Sequence, residues 1–134
     1  MRRETYSRTL KFYGDAARET LEEATNYANS LVSLERFEEA KSVLRKQMPV
    51  AQRVLGASNE FAFKMRGCYA DALCSDPGAT LSELREAVTR FEDLERDARR
   101  VLGSAHPFVV RAIGRSLRRS REILRARGTP PEAV

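Results

Sequence analysis

The chain has 134 residues, 42% of them hydrophobic and 32% charged, a balance typical of a folded globular protein and not of a disordered one. A net charge of +5, from 24 Lys and Arg against 19 Asp and Glu, is only moderately basic. Two cysteines and one histidine cannot form a metal site at the usual ligand spacing, and no apolar run reaches the roughly 18–20 residues that span a bilayer. The start, MRRETYSRTL, lacks the apolar segment of a secretory signal, so we expect a cytoplasmic protein without a membrane anchor, metal or cofactor.

The first elements read as helices separated by short polar connections. Residues 2–13 predict a short amphipathic helix that ends at Gly14. Residues 18–33 predict the next helix, and a tight turn at Leu34 leads to a partner helix over about 36–55, which must run antiparallel. The positions predicted to face inward in this pair are Leu21, Ala24, Tyr27, Ala28, Leu31, Phe37, Ala40, Val43, Leu44, Ala51, Val54 and Leu55.

A second helix pair follows. Residues 60–74 predict its first helix, and the Ser-Asp-Pro-Gly turn at 75–78 ends it. Thr80 with Glu83 predicts a capping box for the second helix, about 81–102. The inward positions of this pair are Phe61, Met65, Tyr69, Ala72, Leu73, Leu84, Ala87, Val88, Phe91, Leu94, Ala98, Val101 and Leu102.

The last predicted helix covers about 107–126 and has Pro107 in its first turn, where a missing N–H costs nothing. We expect Val110, Ile113 and Leu117 to face inward with Leu124. The tail, residues 127–134, should be disordered.

Glycines mark a repeat: 42 residues separate Gly14 from Gly56, and 47 separate Gly56 from Gly103. At an offset of 47, Val-Leu-Gly at the first stop falls on Val-Leu-Gly at the second. A period near 42 built from two antiparallel helices predicts an all-α, α-solenoid fold of about six helices, in one domain over residues 1–126. Its parts would be a half unit at 1–14, units at 18–56 and 60–103, and a half unit at 106–126.

The repeat resembles the tetratricopeptide (TPR) repeats of kinesin light chains. The residues that carry the resemblance are Asn26-Tyr27-Ala28, Phe37-Glu38-Glu39-Ala40, Val54-Leu55-Gly56, Leu84-Arg85-Glu86-Ala87, Val101-Leu102-Gly103 and His106-Pro107. Two departures are Cys68, where the family has Asn, and Asn59-Glu60, where it has His-Pro. The resemblance implies a right-handed superhelix that binds a peptide segment in its concave groove, and a structural role for His106 in a linker.

Carried onto this chain, the resemblance implies groove positions on the first helix of each pair. Their Asn, Lys and Arg donors would suit the carbonyl groups and acidic side chains of a peptide. The alternative is that these stripes are ordinary solvated helix faces. The groove positions are Glu22, Asn26 and Asn29 in the first unit, Lys64, Cys68 and Asp71 in the second, and Arg111, Arg115 and Arg118 in the last helix.

The last helix also predicts a basic patch, because it carries seven arginines against one acid, Glu122. The simplest interpretation is a solvated terminal helix, and an acidic protein partner is the next. Nucleic acid is less favoured, since no aromatic residues interleave with the arginines for base stacking. The patch comprises Arg119, Arg121 and Arg125 with the groove arginines and Arg127.

Together these patterns predict a non-catalytic scaffold or adaptor that binds a protein or peptide, with no catalytic residues. A self-associating repeat protein is a third interpretation, because an end helix with exposed apolar residues would need covering by a homodimer or by a longer array. The residues of that end surface are Tyr6, Leu10, Phe12 and Tyr13.

Overall fold

The computed structural model of the chain describes residues 18–128, which form five α-helices and one π-helical segment and contain no β-strand. The predicted helix over 2–13, the apolar end surface on it and residues 129–134 lie outside the described residues. The elements are α1 (Arg18–Ser33), α2 (Phe37–Leu55), α3 (Glu60–Ser75), α4 (Leu81–Leu102), the π segment (Phe108–Ile113) and α5 (Gly114–Gly128). The predicted all-α class is confirmed.

The helices pack mainly on their neighbours in sequence. Each α-helix contacts the next one, α4 also contacts the π segment, and α1 and α5 both touch α3. Buried side chains from all five helices and the π segment form one continuous apolar cluster. Burial of this cluster is the main stabilising contribution, since each large aliphatic or aromatic side chain gains about 1.5–3 kcal/mol from leaving water.

Two linkers have the same local structure. Gly56 and Gly103 end α2 and α4 with φ values of 91° and 96°, which a residue with a Cβ atom rarely adopts. The N–H of Asn59 then donates to the carbonyl of Gly56, and the N–H of His106 donates to that of Gly103, both at 3.2 Å. The linkers therefore match one another at an offset of 47 residues.

The starts of the following helices are capped by the same two linker residues. Asn59 Oδ1 accepts the N–H of Phe61 at 2.8 Å, and His106 Nδ1 accepts the N–H of Phe108 at 3.1 Å. Each side chain satisfies one of the backbone donors that a helix start leaves unpaired. The structural role expected for His106 is thus confirmed.

A buried lysine joins α2 to the start of α4. The Lys41 side chain is only 2% exposed, and its Nζ lies 2.7 Å from a Glu38 oxygen and 3.2 Å from a Glu83 oxygen. Glu83 also completes the predicted capping box with Thr80. Burial alone would lower the pKa of Lys41, but the hydrogen bonds and charges of the two carboxylates outweigh it, and the pKa is raised.

Most predicted inward positions are buried or partly buried, but three valines, Val54, Val101 and Val110, are not. Val54 and Val101 are each 43% exposed, although both were expected to face the core. They occupy the last turn of their helices, and the neighbouring Leu55 and Leu102 provide the contacts with the core instead.

The α2 helix continues through Pro49 without a break.

The prediction for Val110 is wrong. Its side chain is 55% exposed, whereas Val109 beside it is buried. In a π turn the hydrogen bond runs from residue i to i+5, as from the Gly114 N–H to the Val109 carbonyl, so side chains stack at wider spacing than in an α-helix. Val109, four residues before Ile113, therefore shares its face.

The last helix, α5, ends at Gly128, two residues beyond the predicted limit at residue 126. The Arg127 guanidinium donates to the carbonyls of Ala79 at 2.6 Å and Pro77 at 3.1 Å. This contact fastens the end of α5 to the turn between α3 and α4.

Candidate functional site: a pocket between α1, α3 and the last helix

A pocket of about 310 Å³ opens where α1, α3 and the last helix meet over α4. This volume is at the lower end of the range for ligand sites, about 300–1,000 Å³, and matches one or two side chains better than a large cofactor. The residues that line it are Asn29, Lys64, Gly67, Cys68, Asp71, Phe91, Leu94, Phe108, Ala112, Ile113 and Ser116.

The floor of the pocket is apolar. Phe91 and Leu94 of α4 are fully buried and form its base, and Phe108 and Ile113 of the π segment form a wall. A Cβ atom at Gly67 of α3 would lie 3.4 Å from Leu94 Cδ2, an ordinary van der Waals distance, so α3 and α4 pack closely beside the pocket. Such a floor offers an apolar side chain a site from which water is easily displaced.

Asp71 is the acidic member of the lining. Its pKa is raised to about 6, because burial disfavours the charged form more than the nearby Arg119 and a hydrogen bond from the Ser116 hydroxyl favour it. A carboxylate in this position is held at a cost to the fold, since its ionised form would be better solvated in the unfolded chain.

Cys68 also lines the pocket but is buried as a thiol. Burial, followed by the negative charge of Asp71, raises its pKa to about 12. Since the thiolate is the reactive form, this cysteine is a poor nucleophile at neutral pH. Burial also raises the pKa of Cys74, which lies six residues further along α3.

Lys64 is the exposed cation of the lining. Its Nζ lies 3.5 Å from a Glu60 oxygen, in a pair whose two side chains are each 45% exposed. The same Nζ is 5.6 Å from the centre of the Phe61 ring. These contacts draw the ammonium group toward the start of α3, and an exposed pair of this kind contributes little to stability.

Four of the nine predicted groove residues line this pocket: Asn29, Lys64, Cys68 and Asp71. Glu22 and Asn26 are half-buried and are not part of the lining. The remaining three, on the last helix, are exposed to solvent and also lie outside the lining: Arg111, Arg115 and Arg118.

The last helix contributes a different stripe from the one predicted. Phe108, Ala112 and Ser116 line the pocket at four-residue spacing, and Ala112 and Ser116 each follow a predicted groove arginine by one residue. The resemblance assigned the groove positions of the last helix by aligning it with α3 as a regular α-helix. The π segment departs from that regular spacing, so the predicted positions are displaced. In the sequence, the four-residue spacing of Phe108, Ala112 and Ser116 was the signal that could have identified these positions.

The predicted basic patch is largely committed to contacts within the protein. Arg119 donates to Ser75 Oγ at 3.2 Å, and Arg121 pairs with Glu92 at 3.0 Å. Arg125 is exposed and also has an interaction within the chain. No hydrogen bond or ion pair is found within residues 18–128 for the three exposed groove arginines, Arg111, Arg115 and Arg118.

Other site types find little support in this part of the chain. Over residues 18–128, no three His, Cys, Asp or Glu side chains are grouped so that they could hold a metal ion. None of the helices described there is both long and apolar enough to cross a membrane. Comparison with protein-family models, curated proteins and solved structures gave no match to the chain.

Proposed function

We propose that this chain is a non-catalytic scaffold that binds a peptide segment of a partner protein, in the cytoplasm, with the pocket as the main anchoring point. We further propose that its helix pairs are TPR-like and stack as an α-solenoid whose groove follows α1, α3 and the last helix. The succession of contacts, in which α3 touches both α1 and α5 while α2 and α4 pack behind, supports such a stack.

The observation that carries this proposal is the composition of the pocket. An apolar floor of Phe91 and Leu94, with Ile113 in the wall, lies beneath polar groups from α1 and α3, such as Asn29 and Asp71. A peptide can place one apolar side chain on such a floor while the polar groups bond its backbone or a neighbouring side chain. Rigid helices supply these groups, so the protein itself loses little entropy on binding.

The chemistry of the candidate reactive groups favours binding over catalysis. Cys68 stays protonated at neutral pH because its pKa is raised by burial. His106 uses Nδ1 to accept the Phe108 N–H, and it is not among the residues that line the pocket. Neither residue is therefore prepared to act as a nucleophile or a base on a molecule in the pocket.

The test uses a variant that fills the pocket without touching the core. Ala112 is exposed yet lines the pocket, so Ala112→Trp should block it and leave the fold intact. Ala126→Trp is the matched control, because Ala126 is an exposed alanine of α5 outside the pocket. Peptides enriched by display against the natural chain should lose affinity at least tenfold for Ala112→Trp.

Measured by fluorescence anisotropy, the same peptides should bind the Ala126→Trp protein as they bind the natural chain. Circular dichroism melts of both variants establish that they are folded. Equal binding to Ala112→Trp and to the natural chain would refute the pocket as the peptide site.

A second candidate function is binding of an acidic partner by the exposed arginines of the last helix. Arg111, Arg115 and Arg118 follow one face and have no partner within residues 18–128. Such a stripe attracts anionic groups through charge, and this binding weakens as salt rises. Nucleic acid remains the less favoured ligand of the stripe for want of interleaved aromatic residues.

The triple variant Arg111→Glu/Arg115→Glu/Arg118→Glu tests this second function. Its control is Lys46→Glu/Arg53→Glu/Arg85→Glu, which changes the net charge equally on exposed positions of α2 and α4. Loss of binding to poly-glutamate or to a DNA duplex in the first variant alone would support the stripe. Equal loss of binding in both triple variants would show that overall net charge, and not the arginine stripe, accounts for the binding.

A further inference from the structure

Asp71 is the one carboxyl group in the pocket lining, and the other members are neutral apart from Lys64. Its side chain is half-buried at the wall where α3 meets α5. An acid in a pocket with an apolar floor requires an explanation, because a neutral side chain of the same size would be accommodated at lower cost.

The contacts of Asp71 leave much of its hydrogen-bonding capacity unused. A carboxylate offers about four acceptor sites. The Ser116 hydroxyl supplies one hydrogen bond to it. Arg119 contributes charge from nearby, but one of its terminal nitrogens, Nη1, donates to Ser75 Oγ and lies 3.9 Å from Cys74 Sγ. Asp71 therefore has acceptor sites that a ligand in the pocket can use.

Lys64, the cation of the pocket lining, does not pair with Asp71. Its ammonium group is 3.5 Å from a Glu60 oxygen, and Lys64 lies seven residues before Asp71, nearer the start of α3. The pocket thus combines an apolar floor with an acid that has no ion pair at 4 Å or less within residues 18–128. The complementary ligand brings a cation next to an apolar group.

We propose that Asp71 determines the specificity of the pocket by selecting peptide segments in which a Lys or Arg residue lies next to the apolar anchor residue. The anchor side chain occupies the floor formed by Phe91 and Leu94, and the cation pairs with the Asp71 carboxylate. This inference rests on the proposed peptide-binding function and adds the chemical class of the peptide. A cation is favoured over a neutral donor because it offsets the desolvated charge more fully.

The experiment uses a synthetic panel of fluorescein-labelled octapeptides with a central Phe or Leu, flanked on either side by Lys, Gln or Glu. The natural chain should bind the Lys peptides about tenfold more tightly than the Gln peptides at pH 7.5, and the Glu peptides least. Asp71→Asn should bring the Lys-to-Gln ratio close to one while the Gln peptides still bind. Asp93→Asn, in α4 and outside the pocket, is the control and should keep the preference.

A pH series gives a second readout of the same residue. The preference for Lys should diminish as the pH falls through about 6, where the Asp71 carboxyl takes up a proton. Arg119 from α5 and Lys64, Cys68 and Cys74 from α3 are the other ionisable groups nearby, and burial raises the pKa of both thiols, away from this pH. The Asp71→Asn protein should show no such change.

The outcomes separate the two proposals. Equal binding of Lys, Gln and Glu peptides that is lost in Ala112→Trp would overturn the selectivity of Asp71 and leave the peptide site standing. Absence of binding to the whole panel by the natural chain would overturn both. A Lys preference that Asp71→Asn leaves unchanged would also reject this role for Asp71.

Discussion

When the helices α2 and α4 are aligned at an offset of 47 residues, some of their buried positions hold the same residue and others differ. Ala40 and Ala51 of α2 match Ala87 and Ala98 of α4, and all four are buried. Two further buried positions differ in polarity, since the pairs are Lys41 with Val88 and Gln47 with Leu94.

This difference assigns separate tasks to the two helices. The apolar Leu94 of α4 forms the floor of the pocket, whereas Lys41 of α2 reaches across to Glu83 at the start of α4. At this offset the two helices thus share their buried alanines, whereas their larger buried residues serve apolar packing in α4 and an ionic connection in α2.

The largest effect should come from making α4 resemble α2 in the floor of the pocket. Leu94→Gln places an amide where the leucine is fully buried, and we expect a loss of about 3–5 kcal/mol in the free energy of unfolding, from lost apolar burial and an unpaired polar group. Urea titration followed by circular dichroism measures it. The exposed Arg85→Gln on the same helix should change it by less than about 0.5 kcal/mol.

The reverse comparison makes α2 resemble α4. Lys41→Met keeps the length of the side chain but removes the ammonium that Glu38 and Glu83 share, and we expect a loss of about 1–3 kcal/mol. A double-mutant cycle with Glu83→Gln should give a coupling of about 1–2 kcal/mol. Simple additivity would contradict a direct interaction between α2 and α4.

The same connection has a pH dependence. The pKa of Glu83 is lowered by the hydrogen bond from the Thr80 N–H and then by Lys41. Its contribution to stability is therefore present above the ordinary glutamate pKa of about 4.5 and is lost as the pH falls through the lower value in the folded protein. Urea titrations between pH 3 and 6 should show less of this loss for Lys41→Met than for the natural chain.

A smaller effect, of opposite sign, should follow at the pocket. At an offset of 42, Asp71 matches Asn29, so Asp71→Asn gives both units an amide in the pocket. Because burial raises the pKa of Asp71 to about 6, the folded protein loses stability as the pH rises from about 4 to 6. Asp71→Asn should remove that loss and gain about 1–2 kcal/mol at pH 7.5. Lower stability of the variant at that pH would contradict the raised pKa.

The smallest effect distinguishes the two linkers. Asn59→Ala should cost about 1 kcal/mol through the lost cap on Phe61, as is usual for helix caps. His106→Ala should cost less than Asn59→Ala. His106→Asn should be at least as stable as the natural chain, since a short amide is a better cap than an imidazole. Thermal melts of the three variants provide the ranking, and an equal cost at both sites would show that residue type is unimportant.

The sequence predicts the helix limits well because its stop and start signals are local. Gly56, Gly103 and the Thr80–Glu83 capping box act within a few residues, so a pattern of residue types is enough to identify them. The pocket is different, since it depends on the register of the last helix. The π segment changes that register, exposes Val110 and leads Ala112 and Ser116, in place of Arg111 and Arg115, to line the pocket.

The roles of the charged residues were equally hard to predict from one sequence. Periodicity alone assigns Lys41 to a helix, but its burial depends on a carboxylate 42 residues away. The patch arginines Arg119 and Arg121 read as solvated cations, although each reaches a residue of α3 or α4. Long-range partners of this kind are fixed by packing, which a local pattern does not contain.

The contact between Lys41 and Glu83 also bears on how the protein opens. In a stack held only by contacts between neighbouring helices, the end elements fray first and each pair exchanges its amide hydrogens at its own rate. Because the buried Lys41 of α2 pairs with the partly buried Glu83 at the start of α4, the opening of α4 removes one of the two carboxylates that pair with the buried ammonium group. Amides in α2 and in the first turns of α4 should therefore exchange as one cooperative unit.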